Sequence, residues 1–107
     1  MKIWVDDIRD APSGYAFHVR SVDGAIELIC GIELVNIKNP GSTEPITLID
    51  LDHDAGDFAA KGGDYIKILD WLEATGRNYP IRIHSMNPVG VQNMRAIIQK
   101  NGWTEVR

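Results

Sequence analysis

Apolar positions along this chain keep two different periods. The stretch Ile46-Thr-Leu-Ile-Asp-Leu-Asp-His-Asp-Ala-Gly56 is apolar and β-branched at first, then turns polar at Asp50, Asp52, His53 and Asp54, before a glycine that lets the chain turn away. So apolar a segment predicts an interior strand, covered on both faces and parallel to its neighbours. Lys2-Ile-Trp-Val repeats the layout and ends in Asp6-Asp7, while Tyr15–Arg20 and Pro80–Ser85 read as two further strands. Between them a helical spacing takes over. Val22, Ala25, Ile26, Leu28 and Ile29 predict a helix opened by Ser21 as N-cap and ending near Gly31. Leu34–Ile37 then suits a small extra strand, and Asn39–Pro45 a loop. Asp57–Lys61 reads as a surface loop before a second helix carrying Tyr65, Ile66, Leu69 and Leu72, which Gly76 stops. The third helix opens on Asn87 as N-cap with Pro88 at its first position, buries Val91, Met94, Ile97 and Ile98, and closes at Gly102; Trp103–Val106 offers a last edge strand. Strands alternating with helices predict an α/β fold, a three-layer sandwich around a mostly parallel sheet.

Length and charge narrow the classes. A chain of 107 residues supports one core, hence a single domain over 1–107. Its net charge of −4, with no block of Lys and Arg, argues against tight unspecific binding to long duplex nucleic acid. No apolar run is long enough to cross a bilayer, and the amino terminus lacks the basic-then-apolar layout of a signal peptide, so a cytoplasmic protein with no membrane partner is expected. Cys30, beside Leu28 and Ile29, reads as a small buried hydrophobe rather than a nucleophile.

The candidate chemistry sits where the strands end. Right-handed crossovers bring Asp6-Asp7, Asp52-His53-Asp54 and His84-Ser85 to one edge of the sheet, the carboxyl edge at which open α/β folds bind ligands. Strand alternation places Asp52 and Asp54 on one side and turns His53 away. Asp6, Asp7 and one of Asp52 or Asp54 are hard oxygen ligands suited to Mg²⁺ or Mn²⁺. His53 and His84, with Asp54, form a candidate acid/base set near neutral pH. Arg9 offers a planar fork to phosphate oxygens, and the helix opened by Asn87 presents free N–H groups to an anion. Plainer readings stand beside these: His84 as a satisfied core histidine, Arg9 as the counter-charge of Asp6 or Asp10, Asn87 as a cap alone, and His18 as structural or exposed. Asn93, farther along the last helix, is weak evidence by itself.

The acidic pair after the first strand, the acidic end of the central strand and the serine closing the next strand resemble the response-regulator receiver fold, which implies a flavodoxin-like strand order of 2-1-3-4-5. More closely, Trp4-Val-Asp-Asp-Ile-Arg-Asp-Ala-Pro-Ser-Gly-Tyr15, Leu51-Asp-His-Asp-Ala-Gly56 and Ile83-His-Ser-Met-Asn-Pro-Val-Gly-Val-Gln-Asn-Met94 resemble the cyclic-phosphate-processing receiver family, over nearly the whole chain. The resemblance implies a phosphodiesterase-type activity on a small cyclic phosphate or a cyclic-phosphate RNA terminus. On that view His53, His84 and Asp54 are catalytic, Arg9, Ser85, Asn87 and Asn93 hold phosphate, and Asp6, Asp7 and Asp52 hold a divalent cation. A non-catalytic sensor of a phosphorylated ligand and a phosphoaccepting receiver are the alternatives. Two departures from a true receiver are visible: a Pro/Gly loop follows Asp7 where a receiver has its first helix, and no lysine follows an apolar strand near the carboxyl terminus.

Overall fold

Four short parallel strands hold the chain together in the computed structural model, which describes residues 1–107. They are β1 (Lys2–Val5), β2 (Phe17–Val19), β3 (Leu48–Leu51) and β4 (Ile81–Ile83), in the order β2-β1-β3-β4. β3 is interior, as its apolar run requires: Ile49 pairs with Ile3 on one side and with Ile81 on the other. A fifth strand is reduced to one parallel bridge between Ile81 and Glu105. There the Ile81 N–H donates to the Thr104 carbonyl at 2.9 Å and the Val106 N–H to the Ile81 carbonyl at 2.7 Å.

Strand order decides which face carries what. Right-handed crossovers from β2 to β3, β3 to β4 and β4 to the Glu105 bridge all step the same way across the sheet and lie on one face, whereas β1 to β2 steps back and crosses the other. The three helices, α1 (Val22–Lys38), α2 (Ile66–Ala74) and α3 (Pro88–Asn101), follow β2, β3 and β4. Ile29, Ile32, Leu69, Leu72, Met94 and Ile98 from these helices join Ile3, Val5, Ile49, Leu51 and Ile81 in one hydrophobic cluster. The alternate strand residues, Lys2, Trp4, His18, Asp50 and Arg82, face the other way. Over them lies the β1–β2 connection, a loop in place of a helix, so that the third layer of the sandwich is loop. Its Tyr15 ring packs edge-on against Trp4, with centroids 5.3 Å apart.

Several local expectations are corrected. α1 does not stop at Gly31 but runs 17 residues to Lys38, absorbing the segment that suited a strand. A glycine inside a helix costs about 1 kcal/mol. Burying Ile32, one residue on, returns roughly 1.5–3 kcal/mol, and Leu34, Val35 and Ile37 are left exposed on the outer side. Cys30 is exposed, not buried, because it falls on that outer side, with Sγ 3.9 Å from Arg77 Nη2. The Asp57–Lys61 segment forms one 3₁₀ turn, Gly56–Ala60. Ser21 and Asn87 cap as expected: Ser21 Oγ accepts from the Gly24 N–H and Asn87 Oδ1 from the Gly90 N–H, each at 3.0 Å.

Candidate functional site

On the loop-covered face a row of polar groups leads from the centre of the sheet to its carboxyl edge. Asp50, fully buried in β3, accepts from the Tyr15 hydroxyl on Oδ2 and meets His84 Nδ1 with Oδ1 at 2.7 Å. The other ring nitrogen of His84, Nε2, lies 2.9 Å from Asp6 Oδ2. The imidazole stacks flat on Trp4, with centroids 3.8 Å apart and planes within 2°. Parity explains the gathering, since Trp4 and Asp6, Asp50 and Asp52, and Arg82 and His84 all project from the same side of neighbouring strands. Two buried carboxylates are thereby supplied with donors, as charge under a sheet demands. Asp50 holds Tyr15 in its neutral form: burial and then the carboxylate push the phenol up to about 12.

Asp6 is the junction with the second group. Its Oδ1 accepts from the N–H groups of Ile8 and Arg9 at 2.9 Å each, and its Oδ2 also lies 3.4 Å from Arg9 Nη1. Burial by itself would raise its pKa, but those two N–H groups and His84 outweigh it and hold the carboxyl below its ordinary value. The same Arg9 Nη1 lies 3.7 Å from Asp52 Oδ2 and 3.4 Å from the His84 carbonyl, which leaves the rest of a half-exposed guanidinium free. Arg9 therefore serves Asp6 and Asp52, not Asp10. Asp7 is the contrary case. Burial raises its pKa, and the charges of Asp6 and Asp52 add to this against the lowering effect of its own N–H and of Arg9. Its carboxylate abuts Gly56, which sits at φ 55°, and any Cβ there would overlap Asp7 Oδ2. Oxygens of Asp6, Asp7 and Asp52 come within 4.8 Å of one another. Three carboxylates, one of them with uncompensated charge, fit a hard divalent cation such as Mg²⁺ or Mn²⁺, with Asp7 and Asp52 the freer donors.

The third group centres on His53. The strand ends at Leu51, so alternation lapses, and Asp52 and Asp54 do not share a side as the strand pattern predicts. Asp52 turns to Asp6 and Asp7, with its Oδ1 accepting the His53 N–H at 2.7 Å; Asp54 turns to His53, whose Nδ1 lies 2.9 Å from Asp54 Oδ1. Asn87 Nδ2 approaches both, 3.4 Å from His53 Nδ1 and 3.4 Å from Asp54 Oδ2. Because Asn87 Oδ1 caps the Gly90 N–H, that amide must present its NH₂ to the pair. His53 Nε2 has no hydrogen-bond partner in the chain and is not buried, so it opens to solvent. The imidazole lies on Gly90, where a Cβ would come 2.5 Å from its Cγ. Asp64 closes the group from behind, its Oδ1 accepting the Ala55 N–H at 2.9 Å. Ser85 Oγ accepts from the Asn87 N–H at 3.1 Å, and Asn93 is exposed on α3 without a hydrogen bond to any of these residues.

Ten predicted residues thus divide into an acidic group (Asp6, Asp7, Asp52, with Arg9), an imidazole–carboxylate group (His53, Asp54, with Asn87 and Ser85), a partly buried His84 between two carboxylates, and a separate Asn93. A family model for the cyclic-phosphate processing receiver domain matches residues 1–100. The chain belongs to that family. No curated protein and no solved structure matches it. As a cyclic-phosphate processing receiver domain it keeps the parallel order 2-1-3-4 and covers its first crossover with loop. Its acid-paired lysines lie elsewhere, Lys67 with Asp70 and Lys100 with Glu73. No helix is long and apolar enough to cross a membrane. Sequence reasoning passed over Asp50, Tyr15, Trp4 and Arg20 as site residues. Arg20 Nη1 donates to the Asp7 carbonyl at 2.9 Å, and the available signal for Trp4 and Asp50 was their shared parity with Asp6 and Asp52. The site is an open edge: the cavity of about 360 Å³ lined by Ile32, Glu33, Ile37, Pro45, Ile46 and Tyr79 lies at the strands' amino ends.

Proposed function

We propose that this receiver domain binds a cyclic phosphate at the carboxyl edge of its sheet and opens the ring by hydrolysis, with His53 as general base. The observation that carries the reading is the His53–Asp54 pair: a carboxylate on Nδ1 fixes the ring, and Nε2 is left open to take a proton from water. Water oxygen then bonds to phosphorus, one ester P–O bond breaks, and the departing alkoxide takes a proton from solvent at this open edge while His53 gives its own back to solvent, leaving a monophosphate ester with a new hydroxyl. The free N–H groups of Arg9 suit the non-bridging oxygens. A divalent cation held by Asp6, Asp7 and Asp52 would supply Lewis-acid polarisation of the phosphoryl oxygens. The openness of the edge favours a phosphate carried on a larger molecule, such as an RNA terminus. His84 takes a different part from the one the sequence suggests: both of its nitrogens face carboxylates, so it does not exchange protons with the ligand directly in this arrangement.

That same observation favours a second reading, binding without turnover, since only one imidazole is open. Phosphorus NMR of a nucleoside 2′,3′-cyclic phosphate, with and without chelator, separates the two. Hydrolysis should fall roughly 10²–10⁴-fold in His53→Ala, with affinity much less affected. Tight binding with no ring opening under any metal condition would leave the sensor reading; neither binding nor opening would remove both.

A further inference from the structure

We infer that Asp50, fully buried in β3, is a positioning residue that acts on phosphate binding through His84, Asp6 and Arg9. The inference rests on the cyclic-phosphate reading of the site. Asp50 Oδ1 fixes His84 Nδ1 at 2.7 Å, and with one nitrogen fixed and the ring flat on Trp4, Nε2 can point only at Asp6 Oδ2, 2.9 Å away. Asp6, held there, is the anchor of Arg9 twice over, through its backbone N–H at 2.9 Å and its Nη1 at 3.4 Å, while the His84 carbonyl takes the same Nη1 at 3.4 Å. Each link therefore sets the orientation of the next, from a fully buried carboxylate to a guanidinium 49 % exposed at the edge. Asp50 is itself held from outside the row, by the Tyr15 hydroxyl on Oδ2 and, more loosely, by Arg82 Nη1 at 3.9 Å.

Energetics favours this role over a purely structural one. Buried ionic networks add little stability compared with well-packed apolar groups of similar volume, so stability by itself does not call for a carboxylate–imidazole–carboxylate row at this place in the sheet. What the network does supply is a fixed position for Arg9, whose free N–H groups can then meet phosphate oxygens without first being ordered.

The test is a double-mutant cycle on the affinity for adenosine 2′,3′-cyclic phosphate, measured in a His53→Ala background so that the ligand is not consumed. Asp50→Asn cannot accept from both neighbours and should weaken binding about tenfold or more, the size typical of removing a group that orients another. In an Arg9→Ala background the same change should cost less than about twofold, because the residue through which it acts is gone. An equal loss in both backgrounds, or none in either, overturns the inference. If Asp50→Asn does not fold, Tyr15→Phe, which releases only Oδ2, takes its place and should give a smaller loss with the same dependence on Arg9. If the unaltered site binds no cyclic phosphate, the proposed function fails, and the inference is then read in the free protein from the NMR order parameter of Arg9 Nε–H. That parameter should be high in the parent and fall below about 0.6 in Asp50→Asn; equal order in both proteins overturns the inference independently of any ligand.

Discussion

Replacing Gly90 by alanine is expected to damage the site far more than the fold. Gly90 is the third residue of α3, buried, and in contact with the His53 ring, and an added Cβ would lie 2.5 Å from Cγ, 2.6 Å from Cδ2 and 2.9 Å from Nδ1. Ordinary carbon contacts need at least 3.4 Å, so the ring must retreat by about 1 Å. It can do so, because His53 stands on a loop beyond the end of β3 and not in the core. The helix gains about 1 kcal/mol from losing a glycine, while the crowding costs roughly 1–3 kcal/mol. The net change lies between about zero and 2 kcal/mol of destabilisation, a fall in Tm of no more than roughly 16 °C for a domain of this size and less if the loop yields. Displacing a reacting group by 1 Å costs on the order of 10²-fold in rate, and the retreat also breaks the contact with Asp54. Thermal unfolding followed by far-UV circular dichroism gives the first quantity, and initial rates of cyclic phosphate opening the second. A Gly90→Ala protein that folds and keeps the parent kcat/KM would refute the placement of His53 as base.

Three further outcomes follow from the electrostatics. Asp7 is raised in pKa by burial and by Asp6 and Asp52, so its ionised form opposes folding: stability from this group is gained as pH falls through its raised value, and Asp7→Asn should raise Tm at neutral pH. A lower Tm for that variant at neutral pH and an unchanged one at acid pH would contradict it. Mg²⁺ or Mn²⁺ should stabilise the parent in a thermal-shift titration and fail to stabilise Asp7→Asn or Asp52→Asn; calorimetry with no heat of binding for either ion would remove the cation from the site. Tyr15, held neutral to about 12 against about 10 in the unfolded chain, makes stability fall as pH rises between those values, because the unfolded phenol ionises first; Tyr15→Phe should flatten that part of the pH–stability curve, and an unflattened curve would count against the Asp50 contact.

How much of this was legible depends on whether the deciding interaction is local. The strand at Ile46–Leu51, the caps at Ser21 and Asn87 and the acidic strand ends are written in contiguous residues, and the strand order came from the receiver resemblance carried by those same ends. Two features resisted for opposite reasons. Leu34-Val-Asn-Ile carries a strand-like local preference, but it is the packing of Ile29 and Ile32 on the sheet that prolongs α1 through Gly31. Asp50 looks like one more acid in an apolar run, and its importance comes from register: it stands opposite Trp4 on one side and Arg82 on the other. The partners of His84 were hidden for the same reason. Its position at a strand end was legible, whereas the partners that occupy both nitrogens come from β3 and from just beyond β1, 34 and 78 residues away in sequence.

The division of the sheet into an apolar face under helices and a polar face under a loop also makes the chain intolerant of slippage. Because successive residues on each strand serve opposite faces, sliding β3 by one position would carry Asp50 under the helices and turn Ile49 and Leu51 toward Trp4 and Tyr15. An apolar strand buried on both sides could survive such a slip at modest cost; this one would lose its core contacts and strand a carboxylate in them at the same stroke. The charged residue at the centre of the sheet thus acts as a reading-frame mark for strand pairing, and a one-residue insertion within Leu48–Leu51 should prevent folding altogether where the same insertion in the Asn39–Pro45 loop passes unnoticed.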